Sequence, residues 1–363
     1  MRSSEIGTLR GLPLNSLLSR TRLPRVNLRW LEVNRNWKRA LLDESLLRIL
    51  ACPLDRTLLR VSGDAVVCEQ GHRFAIEQGV PVFAEDPRRE PVPLNMAPCP
   101  MLGGNGADSR TIDPFVNDWI VNTNGNLYWR VRGRLPRYPI PSWPFGNGNG
   151  KTLLDIGCSW GRWCIAAARA GYRPIGVDVH IDALAAAGRV SQQLNAHCNF
   201  LCSDADALPM RSRSIDCVFS YSVLQHMDKA KVLRVFHEMA RVLVPGGRCL
   251  IQLPNTLGPL SFAQQLKRGF REAKAGTFEM RYWSRKMIRE SLRDAGLGDV
   301  QIHTDGFLSQ NPQLSDLDLL TPAGKIIVIA SYAGRRAANA LPILTRVADS
   351  LWIKAQAPTA AHS

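Results

Sequence analysis

The chain has 363 residues, enough for one large or two modest domains with a sizeable core. Its 46 Lys and Arg outnumber 31 Asp and Glu, giving a formal net charge of +15. Nine cysteines make no short-chain disulfide framework, and no apolar run approaches the roughly 18 residues of a membrane span. No apolar h-region follows the basic start, so a reducing cytoplasm is the expected compartment.

The charge is uneven along the chain. Residues 1–40 hold nine Lys and Arg against two acids, and residues 258–293 hold nine against three. The rest is therefore close to neutral. A basic tail plus one basic segment is a weaker nucleic-acid footprint than a basic face throughout.

Residues 1–40 show neither helical nor strand periodicity and are rich in Arg, Leu, Asn and Pro. They are expected to form a disordered basic arm; a start codon assigned too early and an Arg-rich, acid-poor targeting peptide are the other readings. Residues 45–85 form a compact unit of short β-prone runs (57–61, 65–68, 73–76 and 80–83) separated by Gly and Asp turns. Within it, Cys52 and Asp55 make one knuckle, and Cys68 and His72 make a second at C-x3-H spacing. This constellation resembles a short zinc ribbon, as in the small partners of tRNA and protein methyltransferases, with Asp55 where those families mostly have cysteine. The resemblance implies a closed four-coordinate structural site of Cys52, Asp55, Cys68 and His72, and a surface for a protein partner.

Residues 86–112 are rich in Pro, Gly, Asn and Asp and are expected to be a linker. Residues 113–150 carry Trp119, Tyr128, Trp129 and Trp143 among arginines, too aromatic for a free linker, and are expected to form a lid. The most informative stretch follows. Leu153 to Ile156 reads as a buried strand containing Asp155; Gly157, Ser159 and Gly161 make a tight turn, and a helix runs from Trp163 to Ala170. Asp155 disfavours a phosphate and suits a ligand with an amino group, unlike the dinucleotide fingerprint G-x-G-x-x-G. Strand 174–178 ends in Asp178, suited to both hydroxyls of a ribose. Strand 200–204 ends in Asp204 before Ala205, strand 214–220 ends in Ser220, and Gly246-Gly247 turns into strand 248–253.

In order and spacing, residues 150 to 255 resemble the class I S-adenosylmethionine (SAM) methyltransferases, with serine at the middle glycine of motif I. The resemblance implies an α/β, Rossmann-like seven-stranded sheet behind the small N-terminal β domain, and a methyltransferase domain over 113–335. It also implies SAM held by Asp155, Gly157, Cys158, Ser159, Gly161, Asp178, Asp204, Ala205 and Ser220, with Asp204 beside the adenine amino group. His226 is the one histidine near the expected acceptor and is the candidate general base, with Tyr221 and Gln225 as orienting neighbours. Phe219-Ser220-Tyr221-Ser222 is neither the Asn/Asp-Pro-Pro-Tyr of exocyclic-amine methylation nor the Pro-Cys of cytosine C5 methylation.

Residues 257–281 read as an insertion with one basic helix carrying Lys267, Arg268, Arg271 and Lys274. Ser284 caps a helix ending at Gly296. Strands at 299–304 and 325–332 are expected to close the sheet. A final helix at 341–355, within a 336–363 tail, places Leu344, Val347, Ala348, Leu351 and Trp352 on one face, packed on its own domain or touching a membrane surface. The favoured function is methyl transfer to a small-molecule, carbohydrate or lipid-type acceptor. RNA base methylation and a non-catalytic SAM-binding partner role are the alternatives.

Overall fold

Two sheets organise the chain. The computed structural model describes residues 44–89, 111–274, 276–277, 279–308 and 313–359, so the arm at 1–40 and most of the expected linker lie outside the described residues.

The small domain opens with α1 (Glu44–Ile49), followed by the antiparallel sheet β1 (Leu59–Ser62), β2 (Ala65–Cys68), β3 (Arg73–Glu77) and β4 (Val80–Pro81). The sheet does not stand apart. Phe83 N–H donates to the Cys202 carbonyl at 2.7 Å, and the Ala51 N–H donates to Pro209 at 3.1 Å. Leu46, Leu50, Val66 and Phe83 are buried in one cluster with Leu201, Leu208 and Met210. The unit thereby covers the open edge of the large sheet, where unpaired N–H and C=O groups would otherwise face solvent.

The large sheet comprises β5 (Thr152–Ile156), β6 (Arg173–Asp178), β7 (Asn199–Cys202), β8 (Ile215–Ser220), β9 (Leu243–Pro254), β10 (Gly298–Gly306) and β11 (Ser350–Gln356). Its order is β10-β11-β9-β8-β5-β6-β7. The five strands from β5 to β9 run parallel, and β11 is antiparallel between β9 and β10. Helices α3 (Arg162–Arg169), α4 (Ile181–Gln193), α5 (Lys229–Val242) and α7 (Arg285–Asp294) flank it, and every residue of β5 is buried. A continuous apolar run is what a parallel strand covered on both faces requires. This is the expected Rossmann-like seven-stranded architecture with an N-terminal antiparallel sheet.

Residues 113–150 pack as a cover. Asp113 caps α2 (Pro114–Asn124) through the Phe115 N–H at 3.0 Å and pairs with Arg189 on α4 at 2.7 Å. The fully buried Trp160, in the turn after β5, donates its indole N–H to Thr123 Oγ1 at 3.0 Å.

The C-terminal expectation is overturned. Residues 325–332 are not a strand; they lie in α8 (Pro322–Ala340), which Thr321 caps through the Gly324 N–H at 3.1 Å. Gly324, Val328 and Ser331 face inward at helical spacing, so a β-branched run is helical because its neighbours bury one stripe. The expected final helix at 341–355 gives way to a 3₁₀ segment, Pro342–Val347, and to β11, whose register runs from Ser350 opposite Pro254 to Gln356 opposite Arg248. The seventh strand therefore lies in the segment read as a tail. The basic helix is shorter than expected as well: α6 (Pro259–Lys267) ends at Lys267, and Gly269 and Phe270 with φ of +60° and +57° turn the chain before Arg271.

Candidate active site

The turn joining β5 to α3 crosses the C-terminal edge of the parallel strands. Gly157 has φ +77°, and a Cβ there would lie 2.3 Å from Val223 Cγ2, so only glycine fits. Ser159 stands in the left-handed region at φ +48° where a glycine would be unstrained. Its N–H donates to Asp178 Oδ2 at 2.9 Å, while the His180 N–H donates to Asp178 Oδ1 at 3.0 Å. Each carboxylate oxygen of Asp178 keeps lone-pair capacity for one more donor, as two ribose hydroxyls would need.

Asp155 is only 1% exposed, and the Cys164 thiol lies 3.3 Å from its Oδ2. Burial, with the nearby Asp178 adding repulsion, pushes its pKa up to about 7. Burial raises Asp178 in the same direction. Two desolvated acids at the end of one sheet are relieved by a bound cation, and SAM brings both an ammonium and a sulfonium. The residues present therefore fit SAM. The His180 ring packs with Phe115 and Trp119, the three centroids 5.6–5.7 Å apart.

The other expected cofactor residues divide. Gly161 (φ +80°) opens α3. The Cys158 thiol is buried under the turn, 2.6 Å from where a Gly176 Cβ would sit, and burial pushes its pKa up to about 12. Ser220 Oγ donates to the Ile156 carbonyl at 3.0 Å, so it ties β8 to β5. Asp204 holds Lys231 at 2.8 Å, next to the buried Ala205. His226 ends a 3₁₀ turn after β8; its carbonyl accepts from Arg281 Nη1 at 3.2 Å. The buried Arg281 also pairs with Asp228 at 2.5 Å, fixing this turn against the 274–281 segment.

Sequence reading missed Arg162, Asp305 and Asp316 at this edge. Arg162, 6% exposed, lies 5.8 Å from the Trp163 ring centroid in the field of Tyr128, Tyr221, Asp316 and Asp155; burial lowers its pKa. Tyr128 donates to Asp316 at 2.6 Å, and Tyr221 and Ser350 donate to Asp305 at 2.9 and 2.7 Å. The one signal for Arg162 was its place directly after Gly161; Asp305 and Asp316 come from stretches without a motif.

Beyond the ends of β8 and β9 lies a cavity of about 230 Å³. Lys229, Arg268 and Arg271 line it with Thr256, Gln265 and Tyr282; the apolar part of its wall includes Phe270, Met280 and Met287. Glu272 is the one acid in the wall and pairs with Lys229 at 2.9 Å.

In the small domain the four expected metal ligands converge, with one donor atom from each of Cys52, Asp55, Cys68 and His72 lying within 4.8 Å of the others. His72 Nδ1 is 3.6 Å from Cys52 Sγ, 3.3 Å from Cys68 Sγ and 2.9 Å from Asp55 Oδ2, and Cys68 Sγ is 3.4 Å from that same oxygen. For metal–sulfur bonds of about 2.3 Å and metal–nitrogen or –oxygen bonds of about 2.0 Å, tetrahedral edges are about 3.3–3.8 Å. Three of these separations fall in that range, the nitrogen–oxygen one is shorter, and the set as a whole extends to 4.8 Å, so the cluster is compatible with a four-coordinate ion once the donors adjust around it. Asp55 Oδ1 accepts from the Thr57 N–H and hydroxyl at 2.9 and 2.6 Å, which holds Oδ2 toward the cluster.

This sheet order, glycine turn and pair of strand-end acids are the arrangement expected of a class I SAM-dependent methyltransferase domain. Residues 153–247 match the family model described as a methyltransferase domain. The chain is 33% identical over 145 residues, 40% of its length, to the biotin biosynthesis bifunctional protein BioHC of Cellvibrio japonicus, covering 27% of that protein. It is 29% identical over 165 residues, 46% of its length, to the malonyl-[acyl-carrier protein] O-methyltransferase of Dechloromonas aromatica, covering 58% of it. Both matches leave much of the relative's length uncovered. Among solved structures, Haemonchus contortus phosphoethanolamine N-methyltransferase 2 in complex with SAM aligns with a TM-score of 0.41 at 21% identity, over 68% of this chain and 57% of that one.

Proposed function

We propose that the whole protein is a SAM-dependent methyltransferase whose acceptor is a small or lipid-type molecule bearing an anionic group. The observation that carries the acceptor class is the cavity at the end of β9, where three cations face one carboxylate beside an apolar wall. An anion desolvated between Arg268 and Arg271 gains charge-assisted hydrogen bonds, and the apolar wall suits an adjoining carbon skeleton.

SAM supplies the methyl group together with its own leaving group. The chain's residues do the rest. Asp178 orients the ribose, with the turn from Gly157 to Gly161 and the acids Asp155 and Asp204 around the remainder of the cofactor. Asp155 takes the ammonium, and the cover formed by residues 113–150 excludes water. His226 lies on the turn after β8 at the same edge and is the base for an acceptor with an acidic proton.

Cys52, Asp55, Cys68 and His72 hold a structural zinc ion in this reading, keeping the small domain closed against β7 and presenting a surface for a protein partner. None of the eight described cysteines is in a disulfide, and in this reading the protein works in a reducing cytoplasm.

The test uses the full chain, SAM labelled in the methyl group, and a cell extract fractionated into anionic small molecules, lipids, RNA and protein. Label should enter the anionic small-molecule or lipid fraction. Arg268→Ala with Arg271→Ala should reduce incorporation at least tenfold while SAM affinity stays unchanged. Label confined to RNA or protein, or transfer indifferent to both arginines, would refute the proposal.

A further inference from the structure

The insertion after β9 turns its apolar side outward. In α6 only Ser261 is buried, whereas Leu260, Phe262 and Leu266 are 45%, 48% and 60% exposed. Leu257 and Phe270, at either end of the helix, are exposed as well. A helix folded onto its own domain buries such residues, so this one is built to meet something else.

Its surroundings extend the surface. Asp349, buried, accepts from the Leu260 N–H at 2.7 Å through Oδ1 and from the Leu308 N–H at 2.8 Å through Oδ2. Asn255 Nδ2 donates to the carbonyls of Arg346 and Ala348 at 2.8 and 2.9 Å. The start of α6, the turn at Leu308 and the segment 341–348 are thus tied together, and Leu308, Ile343 and Val347 are exposed too.

The charge selects the occupant. Lys267, Arg268, Arg271 and Lys274 follow the apolar residues of α6, Arg285 and Lys286 open α7, and Arg346 lies between Ile343 and Val347. Residues 258–293 carry nine basic against three acidic residues. Large aliphatic and aromatic side chains among Lys and Arg are the composition of a helix lying in a lipid interface, where the apolar groups enter the acyl boundary and the cations meet anionic headgroups. All three segments leave the edge of the sheet at which β8 and β9 end, the edge that carries the cofactor turn and the basic cavity.

We propose that α6, the turn at Leu308 and the 341–348 segment form a docking surface for an anionic lipid bilayer. Docking there sets the mouth of the basic cavity against the membrane. The surface is read out by vesicle binding without methyl transfer, so it stands or falls separately from the proposed activity.

The experiment floats the full chain with vesicles of phosphatidylcholine, and of phosphatidylcholine containing about one third phosphatidylglycerol. The chain should float with the anionic vesicles and stay behind with the neutral ones. Two double variants, Phe262→Glu with Leu266→Glu and Ile343→Glu with Val347→Glu, remove exposed apolar groups outside the cavity wall. Each should weaken binding to anionic vesicles about tenfold or more, with melting temperature, SAM affinity and light-scattering mass unchanged. The proposal is overturned by a wild-type chain that does not float. It is equally overturned by binding that persists in both variants, driven by basic residues such as those in 1–40, or by variants that instead change the mass of the particle and so mark a contact between copies.

Discussion

Replacing Asp155 by Asn separates the energetic cost of a buried acid from its use in holding the cofactor. Its carboxyl, 1% exposed, titrates at about 7 because burial disfavours the charge. An unfolded aspartate titrates near 3.9. Below about pH 4 both states are protonated and the site costs nothing. As pH rises toward 7 the unfolded chain ionises while the native one keeps its proton, so stability falls; above 7 the loss levels off. The difference of about three pK units corresponds to roughly 4 kcal/mol at pH 8. Asp155→Asn should recover a large part of that in the SAM-free protein, raising its melting temperature at pH 8 by about 5 °C or more and much less at pH 5.

The same titration governs binding. A ligand ammonium favours the carboxylate, so wild-type affinity for SAM should rise about fivefold or more between pH 6 and 7.5, with uptake coupled to proton release. Asp155→Asn should bind more weakly and lose that slope. Calorimetry in two buffers of different ionisation heat, beside thermal melts at each pH, reads both effects. A flat wild-type profile, or a variant that keeps the slope, would refute the placement of the ammonium at Asp155.

Asp178→Ala removes the acceptor of the Ser159 and His180 N–H groups as well as the proposed ribose contacts, so SAM affinity should fall at least tenfold in calorimetry while circular dichroism shows an intact fold. Gly157→Ala, whose Cβ would lie 2.3 Å from Val223, should lower the melting temperature and abolish SAM binding together. Protein purified without chelator should carry near-stoichiometric zinc by elemental analysis, lost in Cys52→Ser with Cys68→Ser; metal-free fresh wild type would contradict the zinc site. Deleting residues 1–40 should remove most salt-sensitive retention on total RNA while leaving SAM affinity unchanged; retention with a slope of five or more phosphates in the shortened chain would favour an RNA acceptor.

What the sequence made legible follows from where local and tertiary preferences agree. Strands β5, β6, β7 and β8 are short apolar runs, and β5 and β6 carry their acids beside a turn, because a buried parallel sheet and a ligand at its carboxyl ends both demand that pattern. The convergence of Cys52, Asp55, Cys68 and His72 was legible because two knuckles each bring two polar side chains to one point. The end of the chain was not. Lys325-Ile-Ile-Val-Ile-Ala-Ser-Tyr332 has the composition of a strand; the Thr321 cap with Pro322 in the first turn starts a helix there, and burial of Gly324, Val328 and Ser331 carries it through the β-branched run. In β11, Ser350 to Ile353 are all buried, so no alternation distinguishes its faces. Arg162 and the Tyr221–Asp305 and Tyr128–Asp316 pairs join residues 84 and 188 positions apart in sequence, a closeness no local pattern encodes.

We place SAM in the turn from Gly157 to Gly161, against Asp155 and Asp178. Titration of SAM and of its demethylated product, S-adenosylhomocysteine, into the full chain at pH 7.5 tests this placement directly. One equivalent of each should bind, and each should raise the melting temperature in proportion to the logarithm of its concentration once the site is saturated. A chain that is folded by circular dichroism yet shows neither heat nor thermal shift with either ligand at millimolar concentration would contradict the account.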